Sequence, residues 1–272
     1  MYIPKPLEDK ITIPHLRKLK QQGEKFACLT AYDYSFARLV EECGVEVVLV
    51  GDSLGMVIQG HDTTIPVTLD DIRYHGKAVA AGLENAMLML DMPFGSVNSP
   101  QQALDNASEL IKQTEAQVVK LEGWESQLET VETLAHFGIA TCAHLGLQPQ
   151  MVHKMGGYSV QGKAKNAAER MLATAVDLQG AGADILLLEC VPSSLAAKIT
   201  AELEIPVIGI GAGIDVDGQI LVLQDVLNVT AGKKPKFSKN FMQGQPSIQS
   251  AISRYVEEVK RGRFPDKSNS FS

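Results

Sequence analysis

The sequence is short of the features that would take it away from the soluble enzymes. Its four cysteines in 272 residues, Cys28, Cys43, Cys142 and Cys190, show no C-x-x-C spacing, so neither a disulfide framework nor a cysteine zinc site is expected. No apolar run approaches the roughly 20 residues that a membrane span requires. The first stretch, MYIPKPLEDKITIPHLRKLK, has no apolar segment of the signal-peptide kind. Basic residues are in deficit: 25 Lys and Arg against 32 Asp and Glu leave a net charge of −7, without the cationic field that nucleic acid or anionic lipid needs. Low-complexity linkers, charge blocks and repeats are missing too. The expectation is a cytoplasmic protein with a small-molecule ligand, built as one domain over 1–272 with 1–11 and 264–272 frayed.

What is present is alternation. Thr12-Ile13-Pro14 opens a helix that Gly23 closes. Short apolar runs then follow one another: FACLTA (26–31), VEVVLV (45–50), AMLMLD (86–91), VVKLE (118–122), IATCAH (139–144), ILLLE (185–189), PVIGI (206–210) and the weaker ILVLQDVL (220–227). Amphipathic segments such as DDIRYHGKAVAAG and NAAERMLATAVDLQGAG separate them. Unbroken apolar strands indicate a parallel sheet covered on both faces. Eight of them alternating with helices indicate a (β/α)8 TIM-type barrel with an N-terminal and a C-terminal helix; a doubly wound open sheet is the alternative. In the last helix, Ile248, Ile252, Tyr255, Val256 and Val259 share one face.

Five consecutive runs stop on an ionisable residue: Gly51-Asp52-Ser53, Asp91, Lys120 with Glu122, His144 and Glu189. A lone acid after a strand is usually a turn or cap residue. Five in a row at carboxyl ends, which in a parallel barrel emerge on one face, mark a candidate site. Lys120 and Glu122 share a face of their strand, and a lysine inside VVKLE needs an anionic partner, either an acid of the protein or a ligand. Asp52, Asp91 and Glu122 come from strands about 4.8 Å apart. Such charges repel by about 4 kcal/mol at an effective dielectric of 20, so either one is protonated or a cation sits among them. Oxygen donors without cysteine favour Mg²⁺, for which Mn²⁺ can substitute. Glu189 lies between ILLL and CVP, an apolar setting that raises a carboxyl pKa toward that of a general base. His144 is either a ligand-orienting or proton-shuttling residue or a satisfied core histidine.

The blocks VGDSLGMVIQGHDTTIPVT (50–68), AHLGLQPQ (143–150), GGYSVQGK (156–163), LECVP (188–192) and IPVIGIGAGIDVDGQILV (205–222) resemble the ketopantoate hydroxymethyltransferase family, from Thr12 to the tail. The resemblance implies Asp52, Asp91 and Glu122 as magnesium ligands. It implies Asp52, Ser53, Asp91 and Lys120 around a bound 2-oxo acid, with His144 in the pocket, and Glu189 as proton acceptor. It also implies 5,10-methylenetetrahydrofolate as cosubstrate, the 2-oxo acid 3-methyl-2-oxobutanoate as substrate and a homodecamer as the assembly. Two readings stand beside it: a related Mg²⁺-dependent 2-oxo-acid lyase or mutase, which would want a reactive cysteine, and a non-catalytic 2-oxo-acid-binding barrel. Segment 54–68 is expected to be a mobile lid or a subunit contact. The glycines of IGIGAG (208–213) are expected to let a ligand, the folate, approach the backbone closely.

Overall fold

The computed structural model describes residues 7–232 and 234–272, so of the expected frayed stretch 1–11 the first six residues lie outside the described residues. The rest is docked: Ile11 is buried and donates its N–H to the Asn85 carbonyl at 2.8 Å, and the Leu7 carbonyl accepts from the Asn85 side chain. Short runs of β-branched and long apolar side chains, bounded by turn formers, become strands. They are β1 Phe26–Thr30, β2 Val47–Val50, β3 Met87–Asp91, β4 Val118–Glu122, β5 Ala140–Gly146, β6 Ile185–Glu189, β7 Val207–Ile210 and β8 Gly218–Leu221. Each pairs in parallel with its sequence neighbours, and β1 closes on β8. Side chains fill the barrel and helices cover it, so every residue of β1, β2, β3, β7 and β8 is buried. The (β/α)8 expectation is met, and the open sheet is not.

The first seven strands fall within two residues of their expected positions. The eighth is a correction, since the apolar run 220–227 is not one strand. Ladder pairing begins earlier, at Gly218, whose missing side chain leaves room for the Phe26 ring. It stops at Leu221, because the Thr30 hydroxyl accepts the Leu223 N–H at 3.0 Å and Leu223–Val226 coils into a helical turn. A continuous apolar run cannot by itself separate strand from buried helix.

The helix Ile13–Gln22 has the expected ends: the Thr12 hydroxyl accepts the His15 N–H, and Gly23 takes φ 70°. The last helix, Ile248–Lys260, buries Ile252, Tyr255, Val256 and Val259, while Ile248 at its first turn is exposed instead of joining that face. The Tyr255 hydroxyl is shared between the Cys28 and Gln219 carbonyls at 2.9 and 2.8 Å, tying the seam between β1 and β8. Residues 264–272, expected to fray, are docked. Phe264 is buried, Asn269 donates to the Lys236 and Ser238 carbonyls, and the Phe271 carbonyl accepts the Ser193 N–H. Among the described residues no helix is long and apolar enough to cross a membrane.

Candidate active site

Strand register brings the ionisable endings together. Asp52 and Ser53 follow β2; Asp91 on β3 aligns with Lys120 on β4, Glu122 on β4 with His144 on β5, and Gly146 on β5 with Glu189 on β6. All of them sit at the carboxyl mouth. The side chains form a continuous line. The Asp52 N–H donates to Asp91 Oδ2 at 2.8 Å, and Lys120 Nζ lies 2.5 Å from Asp91 Oδ1 and 3.7 Å from Glu122 Oε1. His144 then stands between two acids, Nδ1 at 3.5 Å from Glu122 Oε1 and Nε2 at 3.5 Å from Glu189 Oε2. Ser53 Oγ is 2.8 Å from the Tyr32 hydroxyl. Each residue singled out in the sequence is therefore at one mouth.

Burial without water makes these groups titrate abnormally. Desolvation, reinforced by Asp91 and Glu122, raises the Asp52 carboxyl well above its ordinary value. Desolvation, partly offset by Lys120, lifts Glu122 to about 7. Glu189 reaches about 8, through desolvation first and then the charge of Glu122. Burial alone would lower the Lys120 pKa, but Asp91, Glu122 and Asp52 outweigh it and hold the ammonium charged. Desolvation, aided by Lys120, pushes His144 well below its ordinary value, so the ring is neutral.

The sign of the linkage follows. Acids whose folded pKa is raised favour folding below the ordinary value of 4.5, and that contribution is lost as pH climbs through about 7 and about 8. The melting temperature of chelator-treated protein is expected to fall across this window. A melting temperature that is flat or rising there would contradict the charge arrangement.

The donors suit a hard divalent cation. Four carboxylates face one lysine, and Glu122 Oε1 and both His144 nitrogens are buried without hydrogen-bond partners. Yet among the described residues no three His, Cys, Asp or Glu side chains close around one point as they stand. The Lys120 ammonium lies between Asp91 and Glu122. Asp52, Asp91 and Glu122 thus share a mouth, but they do not converge as three equivalent ligands.

Sequence reasoning passed over two groups. Gln150 donates its N–H to Glu122 Oε2 at 3.0 Å and its side-chain amide to Asp52 Oδ2 at 2.9 Å, joining two acids across the mouth. It sits in a single 3-10 turn, Pro149–Met151, too short for any periodicity to mark it. Tyr32, two residues beyond β1, could have been found by the same strand-end rule had it been ionisable near neutrality. Tyr158 reaches over from GGYSVQGK, with its hydroxyl 3.9 Å from Met56 Sδ. In segment 54–68, Leu54–Val57 forms a short helix, and Thr64 and Val67 are buried. The glycines of IGIGAG meet protein rather than an open cleft: Gly211 lies under Phe237 and Phe271, and Gly213 lies against Ser193.

The sequence model of a family described as ketopantoate hydroxymethyltransferase matches residues 10–267. A protein of Alkalilimnicola ehrlichii named 3-methyl-2-oxobutanoate hydroxymethyltransferase is 56% identical over 261 residues, covering 96% of this chain and 94% of its own. One of the same name from Marinobacter nauticus is 53% identical, covering 96% and 98%. Among solved structures, phosphonopyruvate hydrolase in complex with oxalate and Mg²⁺ superposes with a TM-score of 0.59 at 13% identity, covering 92% of this chain and 96% of its own. 2,3-Dimethylmalate lyase gives 0.56 at 15%, covering 77% of each. At such identities these two likenesses concern the fold alone.

Proposed function

The chain belongs to the ketopantoate hydroxymethyltransferase family, and on that premise we propose that its carboxylate-lined mouth enolises 3-methyl-2-oxobutanoate and adds a one-carbon unit to it. It is a hydroxymethyltransferase, and the product is ketopantoate, on the route to pantothenate. The carrying observation is the buried line from Asp52 to Glu189, in which one lysine stands among carboxyls that burial raises, Glu189 to about 8.

In this reading Lys120 and the Ser53 hydroxyl hold the anionic end of the substrate. Glu189, whose raised pKa suits proton transfer near neutrality, removes the proton from carbon 3. The electron pair moves toward the 2-oxo oxygen, and the charge of Lys120, already in place, favours the enolate over the ketone. Neutral His144 lines the pocket beside the base, its Nε2 3.5 Å from Glu189 Oε2. Carbon 3 then bonds to the methylene carbon of 5,10-methylenetetrahydrofolate as one of its C–N bonds breaks, and water replaces the second nitrogen to leave the hydroxymethyl group. The proton taken up by Glu189 and the one released by water pass to the two folate nitrogens, and tetrahydrofolate leaves. Mg²⁺ held by Asp52 and Asp91, with Glu122 adding charge beyond Lys120, would supply Lewis-acid polarisation of the 2-oxo group.

The lyase or mutase reading has less behind it. The four cysteines are buried, and burial followed by the charge of Glu189 pushes the Cys190 thiol up, so it is protonated rather than reactive. We further infer that the chain acts as a single domain in a cytoplasmic homo-oligomer, a homodecamer by the family resemblance. Tyr74 and Phe137, 73% and 62% exposed, offer apolar exterior surface for subunit contacts.

A thermal-shift titration tests the cation site without relying on turnover. Saturating Mg²⁺ is expected to raise the melting temperature at about pH 8, by about 5 to 10 °C if the ion is present at about 100 times its dissociation constant. Asp91→Ala is expected to abolish that rise. An unchanged Mg²⁺ response in Asp91→Ala removes Asp91 from the ion.

A further inference from the structure

Among the described residues three non-glycine positions have left-handed backbone: Glu115, Asn228 and Cys190. Two have ordinary reasons. Glu115 closes the helix Pro100–Thr114 as its left-handed cap, and asparagine tolerates this region better than most residues. Cys190, at φ 50°, ends no helix and has no such tolerance. It is the residue immediately after Glu189.

The surroundings hold it there. The Cys190 N–H donates to the Ile210 carbonyl at 2.9 Å, and its carbonyl accepts the Gln161 N–H at 3.0 Å. One peptide back, the Glu189 carbonyl accepts the Leu147 N–H at 2.8 Å. Opposite it stands Gly146, at φ 100°, where any side chain would overlap that same carbonyl oxygen. The peptide units on either side of Cys190 are thus tied to the end of β5, to β7 and to the loop that carries Tyr158. An extended residue at 190 would continue β6 over the mouth. The left-handed one turns the chain away at once, toward Pro192 and the helix Ser193–Glu202.

We propose that Cys190 is a positioning residue: its left-handed backbone conformation, locked by Ile210, Gln161 and the close pass of Gly146, fixes the direction in which the Glu189 carboxylate enters the mouth. This rests on the reading of Glu189 as the base. Strain kept beside a reacting group, where neighbours over-determine it, is a known way of preorganising a site. The thiol itself has no part in it; only the backbone conformation counts.

Cys190→Asn and Cys190→Thr separate backbone from bulk, because the two side chains are alike in size and polarity while the β-branched one resists φ > 0. Cys190→Asn and Cys190→Gly are expected to keep kcat within about threefold. Cys190→Thr is expected to lose about 10- to 100-fold in kcat, and equally in deuterium exchange at carbon 3, with KM for the 2-oxo acid within about twofold. Asn and Thr variants falling together, or Thr retaining kcat, would overturn the proposal. If Cys190→Thr does not fold, the other two decide: retention supports the role and a tenfold loss of kcat overturns it. Glu189→Gln run in parallel keeps the two ideas apart. Exchange surviving in Glu189→Gln sinks the base assignment; exchange abolished there, with Asn and Thr alike, sinks only the role of Cys190.

Discussion

In D₂O with 3-methyl-2-oxobutanoate and Mg²⁺ but no folate, the wild-type protein is expected to place deuterium at carbon 3, and Glu189→Gln to slow this by about 10²- to 10⁴-fold, the usual contribution of a positioned general base. Glutamine matches glutamate in shape and keeps the contact region of His144 Nε2, so binding of the 2-oxo acid is expected to persist. Loss of binding in place of rate would make Glu189 structural. Since the base works ionised and its carboxyl sits at about 8 before a cation arrives, wild-type exchange is expected to rise with pH. A bound cation favours the ionised form, which moves that rise to or below about 8. Exchange that falls with rising pH would contradict the assignment.

Lys120→Met carries the second large effect. The ammonium is 5% exposed, 2.5 Å from Asp91 and within 3.7 Å of Glu122. Removing one partner of such a pair leaves buried charge uncompensated, which costs about 3–5 kcal/mol. For a chain of this size that corresponds to a melting temperature lower by about 10 °C. The sign with pH follows from the acids. Without the lysine the Glu122 carboxyl, already raised to about 7, rises further, so the loss is expected to be smallest near pH 5, where Glu122 is protonated, and largest near pH 8. Because the same charge stabilises the enolate, kcat is expected to fall by about 10²- to 10³-fold. A variant with unchanged melting temperature and unchanged kcat would show that Lys120 serves neither purpose. Saturating Mg²⁺ is expected to recover part of the stability in Lys120→Met, because a cation can screen the same acids.

Much of this arrangement was readable from the chain because parallel strands in a barrel simplify the code. Burial on both faces makes each strand an apolar run, so ionisable residues at its carboxyl end mark the mouth, as Asp91, Lys120, Glu122, His144 and Glu189 do. The rule fails where position depends on packing between distant segments. The end of β8 is set by the Thr30 hydroxyl, almost two hundred residues earlier in the chain. The glycines at 211 and 213 answer to Phe237, Phe271 and Ser193, and nothing in IGIGAG announces those neighbours. Gln150 bridges Asp52 and Glu122 from a three-residue 3-10 turn, and an uncharged amide in so short a turn gives no periodic signal. Spacing could place three acids at one mouth, but it could not show that Lys120 would stand between two of them.

Ketopantoate formation from 3-methyl-2-oxobutanoate and 5,10-methylenetetrahydrofolate, measured before and after chelation, tests the whole arrangement most directly. Product is expected with Mg²⁺, to stop with chelator, and to return when Mg²⁺ is added back. Product formed at the same rate in excess chelator would mean that the acids at the ends of β2, β3 and β4 do not act through a shared divalent ion.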